Sequence, residues 1–526
     1  MVKASMTTVS SLFSKVSPLF SGIAETISGE VDCSFETLSL YARDASSYYI
    51  QPQAVIYPKN ATDIKHILAF ARELKMPVTV RGLGNGEHGG CLSEGIILDL
   101  HRHFNQIRHI NMLEQTVTVD AGVSVAEFIK KLHTWQFDIP CLDEFDTTAS
   151  VGAYVATRSI SSSSFHYGSV RDWIEGVRVV VDNGEEHNIA DGITPSGRLL
   201  GIYQSVFPLL SSYQAHIRAN KPTTEEASGY SVWNTTIGPR QLIDEIVGSE
   251  GTLGIITSIT FRVTTYKPFS QVTCIPIENK DDIPHFIELA KNHRVERMFL
   301  YDHIFMELSK RYSQHHIPYF KDASYVLMTV HTHTDKEKLK NLVKTFHHAL
   351  PHGEEASVLA SYDVFERLLS PTFIQEVSKK YSNNVLSPLL STNGLLVKPN
   401  KIPSLLRRLE HITDSTGKMY TVSGFVGSGH LAITPLFDLY SNTHDTATTE
   451  YTHAVFEAVK KEGGSFSALG GDGLTKTPHL PQKYNETMLT LFKEIKNAWD
   501  PLGILNPGKK LGTSFHYLSQ RIVKNR

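Results

Sequence analysis

The sequence predicts an α+β protein of two or three domains, on three observations. At 526 residues the chain exceeds what one ordinary hydrophobic core supports. From Ala54 onward short apolar, β-branched runs alternate with amphipathic helical patterns. Past Tyr266-Lys-Pro268 that alternation gives way to longer helices between isolated strands, which marks a change of domain.

Met1–Ile27 is rich in Ser and Thr, with Lys3 and Lys15 and no acid before Glu25. It reads either as an amphipathic leader helix (Leu12, Phe13, Val16, Leu19, Phe20, Ile23) or as an arginine-free transit peptide. Ala54–Tyr57 is a predicted strand. Thr62–Leu74 is a helix with Ile64, Ile67, Leu68 and Ala71 on one face, capped by Asn60 or Thr62. Strands follow at Val78–Val80, Ile96–Leu98 and Val117–Val119, with a helix at Val125–Leu132. Val177–Val181 runs into Asp182-Asn183-Gly184, a hairpin turn. The stretch from Glu185 to Leu242 is polar and irregular, with short helical patches, and reads as an insertion, closed by the strand Ile255–Val263. Beyond it, helices at Asp282–Lys291, Lys336–Ala349 and Ser404–Thr413 alternate with strands at Ser324–Val330, Gly394–Val397 and Ala432–Pro435.

Composition excludes several functions. A formal net charge of −3 offers no basic surface for nucleic acid. The four cysteines Cys33, Cys91, Cys141 and Cys274 stand far apart, which fits neither an iron–sulfur cluster nor a disulfide scaffold and suits a reducing, cytoplasmic setting. No apolar run reaches the roughly 18 residues of a membrane span; peripheral membrane contact stays open.

The most telling segment is Arg81-Gly82-Leu83-Gly84-Asn85-Gly86-Glu87-His88-Gly89-Gly90. Its glycines free the backbone N–H groups to close around a phosphate. Gly84-x-Gly86-x-x-Gly89 matches the dinucleotide fingerprint, but that fingerprint must open a helix. Here the strand Ile96–Leu98 follows within a few residues, so the loop is a strand–nest–strand unit and a nicotinamide enzyme is disfavoured.

In chain order, Ile56-Tyr-Pro-Lys-Asn-Ala-Thr-Asp-Ile, the loop at Arg81, Ser150-Val-Gly152-Ala-Tyr-Val-Ala-Thr157, Tyr167-Gly168-Ser-Val-Arg-Asp172, Gly248–Ile256 and Asn506-Pro-Gly-Lys509 resemble the vanillyl-alcohol oxidase superfamily. The likeness is nearest to its branch of glycolate oxidase subunits and D-2-hydroxyacid (D-lactate) dehydrogenases. It implies a discontinuous, two-subdomain, PCMH-type FAD-binding domain over 48–267 and an α+β, ferredoxin-like substrate cap over 268–495. A leader and entry segment, 1–47, would precede them, and a C-terminal segment, 496–526, would return to the FAD domain.

FAD is the implied cofactor. By the resemblance, amides from Arg81 through His88 cradle its pyrophosphate. Thr147, Thr148, Ser150, Gly152, Ala153 and Thr157 line its phosphate and isoalloxazine side, and Tyr167-Gly168 packs on it. Glu250, Gly254, Ile255 and Ile256 lie near the adenosine and ribityl portion, and Asn506 reaches the flavin edge. His88 and His166 are available for covalent attachment; His88 is read as a polar loop residue near phosphate. Ser161–Ser164 is either a solvated loop or a cofactor contact.

The hydroxyacid branch normally carries two metal-binding histidines in G-H-x-G-D-G-N-x-H, and an E-H-G segment that adds a ligand and a base. Here Phe425 and Ala432 replace the two histidines, and Leu469-Gly470 replaces Glu-His. Carbon side chains cannot hold Zn²⁺ or Mn²⁺, so no metal is expected. Leu386–Leu396 also lacks an arginine to clamp a carboxylate. His430, on a glycine turn, is the candidate base, with a structural role as the alternative; Asp472, Lys476 and Tyr420 are weaker candidates. The expected activity is hydride transfer from a small hydroxyl-bearing substrate to flavin N5, with D-lactate or another 2-hydroxyacid as the default class and an unidentified electron acceptor. The alternative is a non-catalytic flavoprotein subunit of a larger oxidase.

Overall fold

A computed structural model of the chain describes residues 15–142, 149–234, 238–312, 320, 322–351, 356–359, 386–438 and 444–522. Three sheets organise it. In the first, Ala54–Tyr57, Ile96–Asp99 and Val78–Arg81 run parallel, and Glu30–Asp32 adds an antiparallel edge to Ala54–Tyr57. Parallel strands are covered on both faces and so read as unbroken apolar runs; Ala54–Tyr57 and Ile96–Asp99 are buried at every residue. Helix Ala61–Leu74 makes the crossover. Asn60 caps it by accepting from the Asp63 N–H, and Ile64, Ile67, Leu68 and Ala71 are its buried stripe.

The second sheet is antiparallel, in the order Ile107–Asn111, Thr116–Asp120, Ile255–Arg262, Ile174–Val180, Glu186–Ala190. Its central strand comes last in sequence, so the sheet closes only when residues near 255 return. Helix Val125–Thr134, capped by Ser124, sets Val125, Phe128, Ile129 and Leu132 in the core, with Phe128 against Phe261 of the second sheet's central strand. The supposed insertion is more ordered than its polarity suggested. It contains strand Glu186–Ala190 and helices Gly197–Ser212, Gln214–Asn220 and Pro239–Ile246. Leu199, Ile202, Val206 and Leu210 are buried at helical spacing in spite of Pro208.

The third sheet runs in the order Ser357–Leu359, Phe269–Ile277, Tyr325–His333, Arg297–Asp302, Tyr420–Gly424, His430–Asp438, Leu386–Pro388. Leu395–Leu396 pairs with His430–Asp438 off this path. Helices Ile283–Asn292, Lys336–Ala349 and Ile402–Asp414 carry apolar stripes into the core on one face. Strand Arg297–Asp302 separates two layers by its alternation: Met298 and Leu300 join the main core, while Phe299 and Tyr301 join a second cluster with Phe305 and Met306.

The chain returns to its first half earlier than residue 496. Asp472 and Gly473 donate their N–H groups to the Glu250 carboxylate, at 2.6 and 2.9 Å. Helix Glu486–Trp499 packs Phe492 edge-on against Tyr230 and hands the Trp499 indole N–H to Glu245 at 2.7 Å. Of the expected leader, Leu12 and Phe13 lie outside the described residues; Phe20 and Ile23 are buried in a short helical segment, with Phe20 against Phe70. Among the described residues no helix is long and apolar enough to cross a membrane, and Cys33, Cys91, Cys141 and Cys274 are free thiols.

Candidate active site

A cavity of 370 Å³ lies between the first two sheets and the third. Its near wall is backbone-rich. The loop after Val78–Arg81 turns Arg81 inward, where the guanidinium donates to Tyr41 O at 3.1 Å and Arg43 O at 2.9 Å and stacks on the Tyr41 ring. With that side chain held elsewhere, the loop from Arg81 to His88 lines the cavity. No helix follows it before Ile96, in keeping with a nest and not a Rossmann turn. A Cβ on Gly82 would stand 2.1 Å from Ser150 Oγ, so the loop fits against Ser150 only without one. Ser150 in turn caps Val151–Ala156 by accepting the Ala153 N–H at 3.3 Å.

The far wall is built from side chains. Phe299, Tyr301 and Phe305 come from the strand Arg297–Asp302 and the helix after it; Thr421, Ser423 and Phe425 follow Tyr420; His430, Ala432 and Thr434 line the next strand. Asn393 crosses the gap, donating its amide to Glu87 at 3.0 Å, and so ties the third sheet to the glycine loop.

Two imidazoles line this cavity, both buried. His430 Nδ1 accepts the Phe425 N–H at 3.1 Å, so the neutral ring carries its proton on Nε2, which has no partner among the described residues. Burial, with help from the nearby Lys476 charge, drops its pKa to about 3. As held, His430 is a donor, which departs from the base expected of it. His88 packs on Gly470: a Cβ there would lie 2.9 Å from His88 Cδ2 and 3.2 Å from Nε2. Burial and Lys476 hold His88 well below its ordinary value, so it too is neutral, and its Nδ1 has no partner among the described residues.

Lys476, fully buried, donates to Leu469 O at 3.1 Å; burial lowers it to about 8 against the pull of Asp472 and Glu87. Asp472 is saturated, accepting from Gly229 N–H, Ser467 Oγ and Lys510 Nζ. Tyr420 is held far above the phenol range by burial beside Asp414 and Glu410, and does not line the cavity.

Of the residues expected at a cofactor, Arg81, Gly82, Leu83, Gly84, Asn85, Gly86, Glu87, His88, Ser150, Gly152, Ala153, Thr157, Glu250, Gly254 and Ile256 line the cavity. Thr147 and Thr148 lie outside the described residues. Four others are placed away from it. Tyr167 accepts from Lys267 Nζ at 2.9 Å, and Gly168 leads into the Ser169–Asp172 capping box. Ile255 faces the core. Asn506 is spent as a staple, its amide donating to Gly90 O and Glu250 O at 3.1 and 2.6 Å. Ser161, Ser162 and Ser163 are buried and Ser164 is half-buried; the Ser161 hydroxyl bonds those of Ser163 and Ser164, Ser163 reaches Pro140 O, and none of the four lines the cavity. Sequence reasoning missed Phe299, Tyr301, Phe305 and Asn393; the alternation in Arg297–Asp302 was the one available signal.

Phe425, Ala432, Leu469 and Gly470 all line the cavity, and none offers a nitrogen, oxygen or sulfur side-chain donor. They do not fit a divalent cation. No group of three or more His, Cys, Asp or Glu among the described residues fits one either. The near wall does fit a dinucleotide: a glycine loop with positive φ at Gly84 and no room for a Cβ at Gly82, facing a cavity lined largely by apolar groups.

Comparisons agree with that fit. Residues 52–190 match the FAD binding domain model, and 281–510 match the model for FAD linked oxidases, C-terminal domain. The chain is 25% identical to the D-2-hydroxyglutarate dehydrogenase of Escherichia coli (strain K12) over 91% of its own length, but spans only 50% of that enzyme. It is 25% identical to glycolate oxidase subunit GlcD of Bacillus subtilis (strain 168), covering 89% of this chain and 91% of that one. Among solved structures, the 4-ethylphenol oxidase from Gulosibacter chungangensis in its isoeugenol complex superposes with a TM-score of 0.68 at 17% identity, covering 94% and 96%. p-Cresol methylhydroxylase with substrate bound gives 0.67 at 14%, covering 92% and 94%. The chain belongs to the FAD-linked oxidases, carrying their FAD binding domain and their C-terminal domain, and it shares its PCMH-type fold with 4-ethylphenol oxidase and p-cresol methylhydroxylase.

Proposed function

We propose that this protein takes a hydride from a hydroxyl-bearing carbon of a small molecule, with FAD as acceptor and with no metal ion at the substrate oxygen. The observation that carries the reading is a pair of neutral imidazoles on a cavity where the positions expected for three metal ligands and a base, Phe425, Ala432, Leu469 and Gly470, hold only carbon or hydrogen. FAD, when bound, supplies the redox chemistry. The amides from Arg81 to His88 hold its pyrophosphate, and Ser150, Gly152, Ala153, Thr157, Gly254 and Ile256 shape its bed. Glu250 fixes that bed from behind, since its carboxylate is committed to Asp472, Gly473 and Lys510.

His430 donates its Nε2–H to the substrate oxygen and orients it. His88 receives the hydroxyl proton as the C–H bond is broken and the carbonyl forms. Burial, with help from the Lys476 charge, keeps both rings neutral at rest, with one nitrogen of each free of a proton. The sheet carrying Phe299 and Phe425 closes over the substrate and excludes water. The four thiols are too scattered for an iron–sulfur relay, so electrons leave to an external acceptor, and a reducing, cytoplasmic compartment suits them. The named activities of the relatives make 2-hydroxyacids the class to try first.

The test is an anaerobic visible spectrum of the flavin-loaded protein, titrated with D-lactate, 2-hydroxyglutarate, glycolate and neutral alcohols. Bleaching by any of them is expected, slowed by at least about a hundredfold in His88→Gln. A flavin that none of them bleaches would refute the reading in favour of a non-catalytic subunit.

A further inference from the structure

The far wall of the cavity says more about the substrate than the near wall does. Phe299 and Phe425 meet edge-to-face with centroids 5.7 Å apart, and Tyr301 stacks on Phe305 at 4.5 Å. All four rings line the cavity. Ala432 and Leu469 extend the same surface, so the apolar side chains form one continuous face beside His430. Phe425 is tied to His430 twice: its N–H fixes the imidazole, and its ring packs against it at 5.1 Å.

The charges on the cavity are already committed. Arg81 is the one cationic side chain lining it among the described residues, and its guanidinium is held by two carbonyls and the Tyr41 ring. Glu250 is bound to two backbone amides and Lys510, and Glu87 accepts from Asn393. Lys476 lies behind the imidazoles and not on the cavity wall. A carboxylate brought against the aromatic face would lose water with no uncommitted cationic side chain on that wall, among the described residues, to pair with it, and that loss is costly. A hydrocarbon body there would gain both burial and ring contact.

We infer that the substrate is a neutral alcohol with an apolar body, aromatic or branched, lying on the Phe299–Phe425 face with its hydroxyl at His430. The inference rests on the proposed oxidation of a hydroxyl-bearing carbon and names the substrate class of that same site. It parts from the hydroxyacids named for the relatives because Phe425 and Ala432, both on the cavity wall, stand at the positions where the resemblance implies metal-binding histidines.

Two matched pairs test it, each differing only by carboxylate against methyl: (R)-mandelate with 1-phenylethanol, and D-lactate with 2-propanol. Binding is read on the FAD-loaded protein by the perturbation of the flavin absorbance and by the shift in melting temperature, so that affinity is measured whether or not turnover follows. 1-Phenylethanol should bind at least about tenfold more tightly than (R)-mandelate. Phe425→Leu should keep most of that preference, and Phe425→Ala should weaken 1-phenylethanol by about tenfold while leaving mandelate little changed. Equal or tighter binding of the acids overturns the inference, as does an absence of binding by either neutral alcohol. The two claims fail separately. Bleaching by D-lactate alone would retain the oxidoreductase and discard the neutral substrate. Tight 1-phenylethanol binding without bleaching by any compound would retain the pocket's preference and discard the oxidation.

Discussion

Gly82 shows how one missing carbon makes the site. With Ser150 Oγ only 2.1 Å from the position of a Cβ at residue 82, any larger side chain pushes the glycine loop away from the helix it faces. Gly82→Ala should therefore yield folded protein with most of its FAD lost, read as the ratio of flavin to protein absorbance after gel filtration. A full flavin complement in that variant would mean the loop does not hold the cofactor. His430 is the second residue whose role is decided locally. Its Nδ1 is occupied by the Phe425 N–H, so it faces the chemistry as a donor. The sequence offered the histidine on its glycine turn, but which nitrogen carries the proton depends on a backbone amide five residues away.

The segment from Asp472 to Lys510 works at the scale of elements. Lys510, fully buried, pairs with Asp472 at 3.0 Å and Glu250 at 2.9 Å and donates to Ala227 O. Burial alone would lower its pKa, but the two carboxylates hold it above the ordinary lysine value. Removing the ammonium leaves two buried carboxylates facing each other. Lys510→Met should cost about 3–5 kcal/mol of stability, seen as a lowered denaturant midpoint. Asp472→Asn added to it should recover part of that loss, because the two changes act on one network. An unchanged midpoint in the single variant would show that the C-terminal strap is held by packing instead.

The whole molecule carries a pH dependence of its own. Burial holds His88 and three other histidines neutral: His331 and His479 fall to about 4 and His430 to about 3. Each folded value lies below the unfolded 6.5, so the unfolded chain binds the extra proton first. Their contribution is complete above pH 6.5 and is lost as pH falls toward the folded values. Glu245, raised to about 8 by burial, and Asp302, raised to about 7, act in the opposite sense and blunt the net slope. A single variant isolates one term. His331→Phe should be about 2 kcal/mol less damaging at pH 5.0 than at pH 7.5, measured by guanidinium unfolding at both. Equal effects at the two pH values would mean that His331 protonates freely in the folded protein.

Much of this protein is local, and what is local was readable. The parallel strands announced themselves as unbroken apolar runs, helix Ala61–Leu74 by its cap and stripe, and the nest by glycines running straight into a strand. Set against the pattern that the family resemblance implies, Phe425, Ala432, Leu469 and Gly470 pointed to a changed site. Tertiary structure decided everything that depends on distant segments meeting. Asn506 became a staple because Gly90 and Glu250 lie beside it, and His88 packs on Gly470 although 382 positions separate them. Phe299 and Tyr301 became cavity wall because the strand's alternation does not say which of its two faces meets the near wall. Residue chemistry and short-range periodicity are written in sequence order; the packing partner of each face is fixed only when the sheets close on one another.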